Sequence, residues 1–149
     1  GELLGARIAG GWLMGFAVLV VMAVFGTLVF RASWGSPGYF LLLAAVTAFW
    51  TASFFALLNA FLKNRNQAGA VSAPVILAFS VFGGSMLSTE AMPKAFQTIG
   101  LATPNRWFID GAALIRDGRF PAAALLVLAA GGLVLLFLAV PLLRRRSMV

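Results

Sequence analysis

The sequence predicts an all-helical, multi-pass transmembrane protein with four spanning helices and a re-entrant helical hairpin before the last of them. Three observations lead there. Of the 149 residues, 62% are apolar and only 10% are charged, whereas a soluble domain carries about 25% charged residues to cover its surface. The mean hydropathy is +1.00, so the chain cannot coat itself for water and belongs in a bilayer. Its apolar residues gather into four stretches, and between the third and fourth lies a long mixed segment that opens with "FGGSMLSTEAMPKAF".

The four stretches are residues 8–30, 39–62, 68–87 and 120–143. Each has the roughly 20 residues that carry a helix across the hydrocarbon core. In lipid the backbone must satisfy its own hydrogen bonds, so these are helices. The first connection, "RASWGSPG", breaks at Ser36, Pro37 and Gly38; the second, "KNRNQ", is short and basic. Phe120–Pro121 opens the last span with proline in the tolerated first turn. Residues 1–149 form one transmembrane domain. It begins on Gly1 rather than methionine and reads as a piece of a longer chain or a processed product.

The connection at 88–119 carries two helical signals. Pro93 opens a first short helix with Phe96 and Ile99 on one face, and Gly100 ends it. Thr103–Pro104 is a hydroxyl cap followed by proline at the first helical position. From there Trp107, Phe108, Gly111, Leu114 and Ile115 recur at helical spacing until Gly118. About ten residues rise only about 15 Å, too little to cross. Both helices are amphipathic, so the expected arrangement is a hairpin dipping partway into the outer leaflet and packing on the bundle. Gly83–Gly84 loosens the end of the third span before the dip.

Lysine and arginine placement sets the orientation. Four spans put both termini on one side, with Arg7, Lys63, Arg65 and the run Arg144, Arg145, Arg146. Arg31, Lys94, Arg106, Arg116 and Arg119 lie on the other. The terminal triple arginine abuts its helix, whereas charges in a long loop count for less, so both termini fall in the cytoplasm of a cell (inner) membrane. Trp12, Trp34 and Tyr39 fall near interfaces; Trp50 falls between helices.

Several chemistries are excluded. With no cysteine there is no disulfide, and with no histidine the commonest general base and metal ligand are missing. Neither a nucleophile–base pair nor a metal set can be assembled, so no catalytic residue is assigned. The +7 net charge sits at span ends and calls for no nucleic acid.

The stretch "AFSVFGGSMLSTEAMPKAFQTIGLATPNRWFIDGAALIRDG" resembles the signature region of type-two ABC exporter permeases. In that family a span ends in a glycine-rich stretch, then come a "lP" element with a short helix, a "tPxxW" element with a second helix, and the last span. The matching residues are Gly83, Gly84, Met92, Pro93, Thr103, Pro104 and Trp107. The resemblance covers essentially the whole chain but only part of the family's six-span subunit: the four spans correspond to the last four. Glu2 to Arg7 corresponds at most to the trailing edge of the coupling helix that contacts the ATPase. The resemblance implies a dimeric permease subunit of an exporter, driven by a separate or fused ATP-binding subunit. ATP and magnesium are expected in that partner only; this chain lacks a G-x-x-x-x-G-K-[ST] loop. The two short helices would form an external gate over the path of an unspecified substrate.

Each sharper reading has a plainer rival. Gly11 and Gly15 form a G-x-x-x-G pattern that marks either a dimer seam or packing within the chain. Asp110 is the one acid in an apolar helical stretch, a functional candidate by default; Arg106, one turn away, offers it a local ion pair. Thr47, Thr51 and Ser53 could line a polar path, but hydroxyls in spans usually bond the carbonyl one turn back. "KNRNQ" touches an ATPase or merely fixes topology, and Arg144–Arg146 anchors it, with attraction to anionic lipid as a by-product. Two other classes compete with the exporter. A secondary transporter needs an ion-coupling residue in mid-span, and none is present. A membrane scaffold has no need of a re-entrant hairpin.

Overall fold

The computed structural model describes residues 2–62 and 64–146, with the side chains at 65 and 146 outside the description. Lys63 therefore lies outside the described residues. Among those described, six α-helices follow one another: α1 (Glu2–Phe30), α2 (Pro37–Phe61), α3 (Arg65–Phe82), α4 (Lys94–Gly100), α5 (Pro104–Arg116) and α6 (Ala122–Arg146). A 3-10 turn, Thr89–Ala91, precedes α4.

Among the described residues, three helices are long and apolar enough to cross a membrane: α1, α2 and α6. The stretch expected to be the third span is shorter. α3 has 18 residues, which rise about 27 Å against a core of roughly 30 Å. It starts where Asn64 accepts from the Gln67 backbone N–H at 2.9 Å, a side-chain N-cap. It ends at Phe82 rather than 87, because the chain turns sharply at the glycine pair beyond it. α1 starts at Glu2, ahead of 8, because its polar first turn is helical although hydropathy discounts it.

α2 is the central helix. It packs most extensively on α6, then on α1 and α5. Leu43, Ile115, Ala124 and Leu128 form the buried core, one cluster drawn from α2, α5 and α6. In lipid, such burial gains little transfer energy because acyl tails are as apolar as leucine; close packing supplies the stability instead. Glycines permit it. A Cβ on Gly132 would sit 2.7 Å from the Phe49 ring, and one on Gly131 would sit 2.7 Å from Trp50 Nε1. Trp50 also stacks on Phe54 and meets Phe79 edge-on, which ties α3 to α2.

α1 joins α2 through small residues and one hydrogen bond, Trp12 Nε1 donating to the Ala45 carbonyl at 2.9 Å. The turn after α1 is folded back under it. Arg31 takes a left-handed φ of 52°, the Trp34 ring covers Gly26, and Trp34 Nε1 donates to the Ala23 carbonyl at 3.1 Å. The opposite face of α1, with Met14, Val21, Met22 and Phe25, is exposed. Leu4, Arg7, Asn59, Asn64 and Leu143 line one cavity, so the starts of α1 and α3 and the ends of α2 and α6 share one end of the bundle.

Candidate functional site

The mixed segment folds around a single junction where the end of α3, the end of α4 and the start of α5 meet. α3 stops because Gly84 turns left-handed, with φ 86°, a conformation that only glycine adopts at no steric cost. The chain then doubles back: Gly83 N–H donates to Phe79 O at 2.9 Å, and the Ser85 and Met86 N–H groups both donate to Ser80 O at 3.0 and 3.2 Å. Gly83 lies against Asn105 Cβ, and a Cβ there would also come within 2.9 Å of Thr103 Oγ1. Asn105 Nδ2 donates to Ser85 Oγ at 2.8 Å, a second tie across the junction.

Met92 is buried and Pro93 occupies the N-cap of α4. Gln97 Nε2 reaches back to the Met92 carbonyl at 2.9 Å, and Phe96 packs edge-on to Phe82. At its far end α4 brings Gly100 directly onto the Phe82 carbonyl oxygen, a backbone-to-backbone contact that admits no side chain. Thr103 then departs from the role its sequence suggests. It stands at the N-cap of α5, yet its hydroxyl makes no cap bond there; it donates to Gly100 O at 2.7 Å. Its residue type serves the end of α4, not the start of α5.

α5 presents a sharply amphipathic face. Pro104, Gly111 and Ile115 are buried, and a Cβ on Gly111 would lie 3.0 Å from Leu43 and 3.1 Å from Ala124, so α5 sits close on α2 and α6. Trp107 Nε1 donates to Leu101 O at 2.8 Å, bracing the α4–α5 elbow. Arg106 Nε donates to Asp110 Oδ2 at 2.8 Å, with side chains 19% and 44% exposed respectively. Asp110 is thus paired and half open. Arg106 Nη1 is buried without a partner among the described residues. Gly118, with φ 76°, closes α5 as its N–H donates to Ile115 O and that of Arg119 donates to Leu114 O.

The remaining candidates lie on the bundle. Gly11 and Gly15 face α2 of the same chain: added Cβ atoms would meet Ala52 Cβ at 3.9 Å and Ala48 Cβ at 3.5 Å. Thr47 and Thr51 donate to the carbonyls of Leu43 and Thr47 at 2.8 and 2.9 Å. Ser53 does not follow that rule; its hydroxyl is fully buried and unpartnered among the described residues. Arg7 is exposed, as are Arg144 and Arg145, and α6 runs through to Arg146. Three contributors are not legible in the sequence: the close approach of Gly100, the Asn105–Ser85 bond, and Gly35 beneath the Ile115 carbonyl. Each depends on a neighbour distant in sequence; only the glycines themselves give a signal.

A model of the ABC-2 type transporter family matches residues 2–115, far more than half of the chain, from α1 through α5. The chain belongs to the ABC-2 type transporter family. It is therefore an ABC transporter permease, a helical transmembrane component of a transport system. No curated protein and no solved structure matches it. In the permease the junction at Gly83, Gly100 and Thr103 falls inside the matched region, and so does the groove between α1 and α2 apart from Leu143.

Proposed function

We propose that this permease is the membrane-spanning subunit of an ATP-driven exporter, paired with a second permease subunit and coupled to a separate or fused ATP-binding subunit. The observation that carries this reading is the family match over residues 2–115, which takes in α4 and all of α5 but its last residue. In the proposed architecture α3 is the third of four spans, and residues 88–119 form a re-entrant external hairpin. Gly83, Gly84, Met92, Pro93, Thr103, Pro104, Trp107 and Asp110 belong to that hairpin's hinge and body. The end holding Arg7, Asn59, Asn64 and Leu143 faces the cytoplasm of a cell membrane, the side where lysine and arginine abut the spans.

Coupling then works through rigid contacts. ATP and magnesium bind in the partner alone. Closure of the nucleotide subunits displaces the cytoplasmic ends of the spans, at Arg7, Lys63, Arg65 and Arg144–Arg146. α2 transmits the displacement, since α1, α5 and α6 all pack on it. α5 carries the motion to the external side, where it is locked to α3 and α4 at the junction.

The test is recovery of the full-length parent from native membranes in mild detergent. Stoichiometric co-purification of an ATP-binding subunit, with ATP hydrolysis in the eluate, is the expected result. A clean preparation with no ATPase, and none fused to the chain, would refute the proposal.

A further inference from the structure

α1 touches α2 along one line of small residues, Gly11 to Ala52 and Gly15 to Ala48. Beside that line lies an open groove of about 610 Å³. Its polar groups gather at one end, where Arg7, Asn59 and Asn64 stand, and its walls further in are apolar, with Ile8 and Phe55. Thr51 lines the inner part, but its hydroxyl already donates to Thr47 O. The interior therefore asks for nothing polar.

The groove continues. A second cavity of about 360 Å³ shares Gly15, Ala48 and Thr51 with it and reaches Leu19, Phe108 and the mutually bonded Asn105 and Ser85. From Arg7 to Leu19 the α1 axis rises about 18 Å, close to the roughly 15 Å that one leaflet contributes to the hydrocarbon core. A charged mouth thus opens onto a largely apolar groove whose length matches one leaflet.

The charge has one sign. No acid lines either cavity among the described residues. The sequence holds four acids, Glu2, Glu90, Asp110 and Asp117, and Asp110 is already held by Arg106. Arg7 is exposed, and a guanidinium presents a planar fork that matches phosphate oxygens. We propose that this groove binds an anionic phospholipid, its phosphate on Arg7 and one acyl chain laid along Gly11, Gly15 and Ala52. The site does not depend on the direction of transport or on the identity of the transported substrate.

The test uses the full-length protein in vesicles of phosphatidylcholine with a minority of phosphatidylglycerol. A trace of either lipid carries a photoactivatable group in its tail, and cross-links are mapped by mass spectrometry. Phosphatidylglycerol should label Gly11, Gly15 and residues 48–52 about fivefold more than phosphatidylcholine does, the factor one arginine contributes near an anionic headgroup. Arg7→Gln should bring the two lipids level there. Ala52→Phe should remove groove labelling by both, while the outward Met14 and Met22 remain labelled by annular lipid. The proposal is overturned by labelling confined to Met14, Val18 and Met22, which is also the result if another protein segment covers the groove. It is equally overturned by equal labelling from the two lipids, or by a preference that survives Arg7→Gln. Arg7→Gln alters only an exposed side chain, so its result stands even where Ala52→Phe impairs folding.

Discussion

Replacing Gly100 by alanine tests whether the ends of α3 and α4 touch as described. The added Cβ would collide with the Phe82 carbonyl oxygen and lie 3.3 Å from its carbonyl carbon. Neither atom belongs to a side chain that can rotate away, so α4 must move off α3 or the last turn of α3 must distort. Overpacking of this kind costs about 1–3 kcal/mol. Alanine's helical preference returns about 0.5–1 kcal/mol in a helix interior and less at the last helical residue. The net expectation is a loss of about 1–2 kcal/mol. The control is Gly10→Ala in mid-α1, where nothing lies within 4 Å of the new methyl and only the propensity gain applies. Reversible unfolding of the full-length protein in mixed micelles titrated with dodecyl sulfate reads both. The same chemical change should destabilise at one site and stabilise at the other. Gly100→Ala at or above wild-type stability, with Gly10→Ala stabilising as expected, would show that the two helix ends are not in backbone contact.

Gly131→Ala should cost about 1–3 kcal/mol through the Trp50 indole, and Trp50→Leu in the same chain should return part of it, a coupling that a double-mutant cycle measures. Asp110→Asn should cost about 1–2 kcal/mol, more than an exposed i,i+4 pair, because the Arg106 side chain is only 19% exposed and loses its charged acceptor; a loss of several times that in the same micelle titration would mean the carboxylate serves more than Arg106. Gly84→Ala and Gly118→Ala carry the same left-handed strain, about 1–2 kcal/mol each. If the junction is a gate, only Gly84→Ala should also depress ATP hydrolysis by the co-purified complex; equal activity in the two variants removes Gly84 from the gate.

Much of the helical layout is legible in the sequence because it rests on local chemistry. Pro93 and Gly100 bracket α4, and Pro104 and Gly118 bracket α5, as proline and glycine dictate wherever they stand. The end of α3 escapes hydropathy, which counts Met86 and Leu87 as span residues although the left-handed Gly84 has already ended the helix. Residue type makes Thr103 a cap and gives no sign of the competing Gly100 carbonyl. A break at Gly83 and Gly84 is apparent from the residues alone; that they, with Gly100, let three chain segments meet is not. Contacts among residues twenty positions apart leave no periodic trace.

The junction also shows how the chain ends two helices with hydrogen bonds of its own. Ending a helix in lipid frees carbonyls that nothing else will satisfy, at a cost of several kcal/mol each. Here Phe79 O and Ser80 O are both taken up within a few residues, and Gly100 O receives the N–H and the hydroxyl of Thr103. A loop standing in water has less need of such internal pairing, because solvent would supply it. Among the outward side chains, Met86, Leu87, Phe96, Ile99 and Leu101 are all exposed. They alternate with exposed Ser85, Ser88, Glu90, Lys94 and Thr98, so the outward face is mixed. Helix ends paired within the chain, with apolar side chains among the outward groups, are what the proposed hairpin would require if it rests partway into a leaflet.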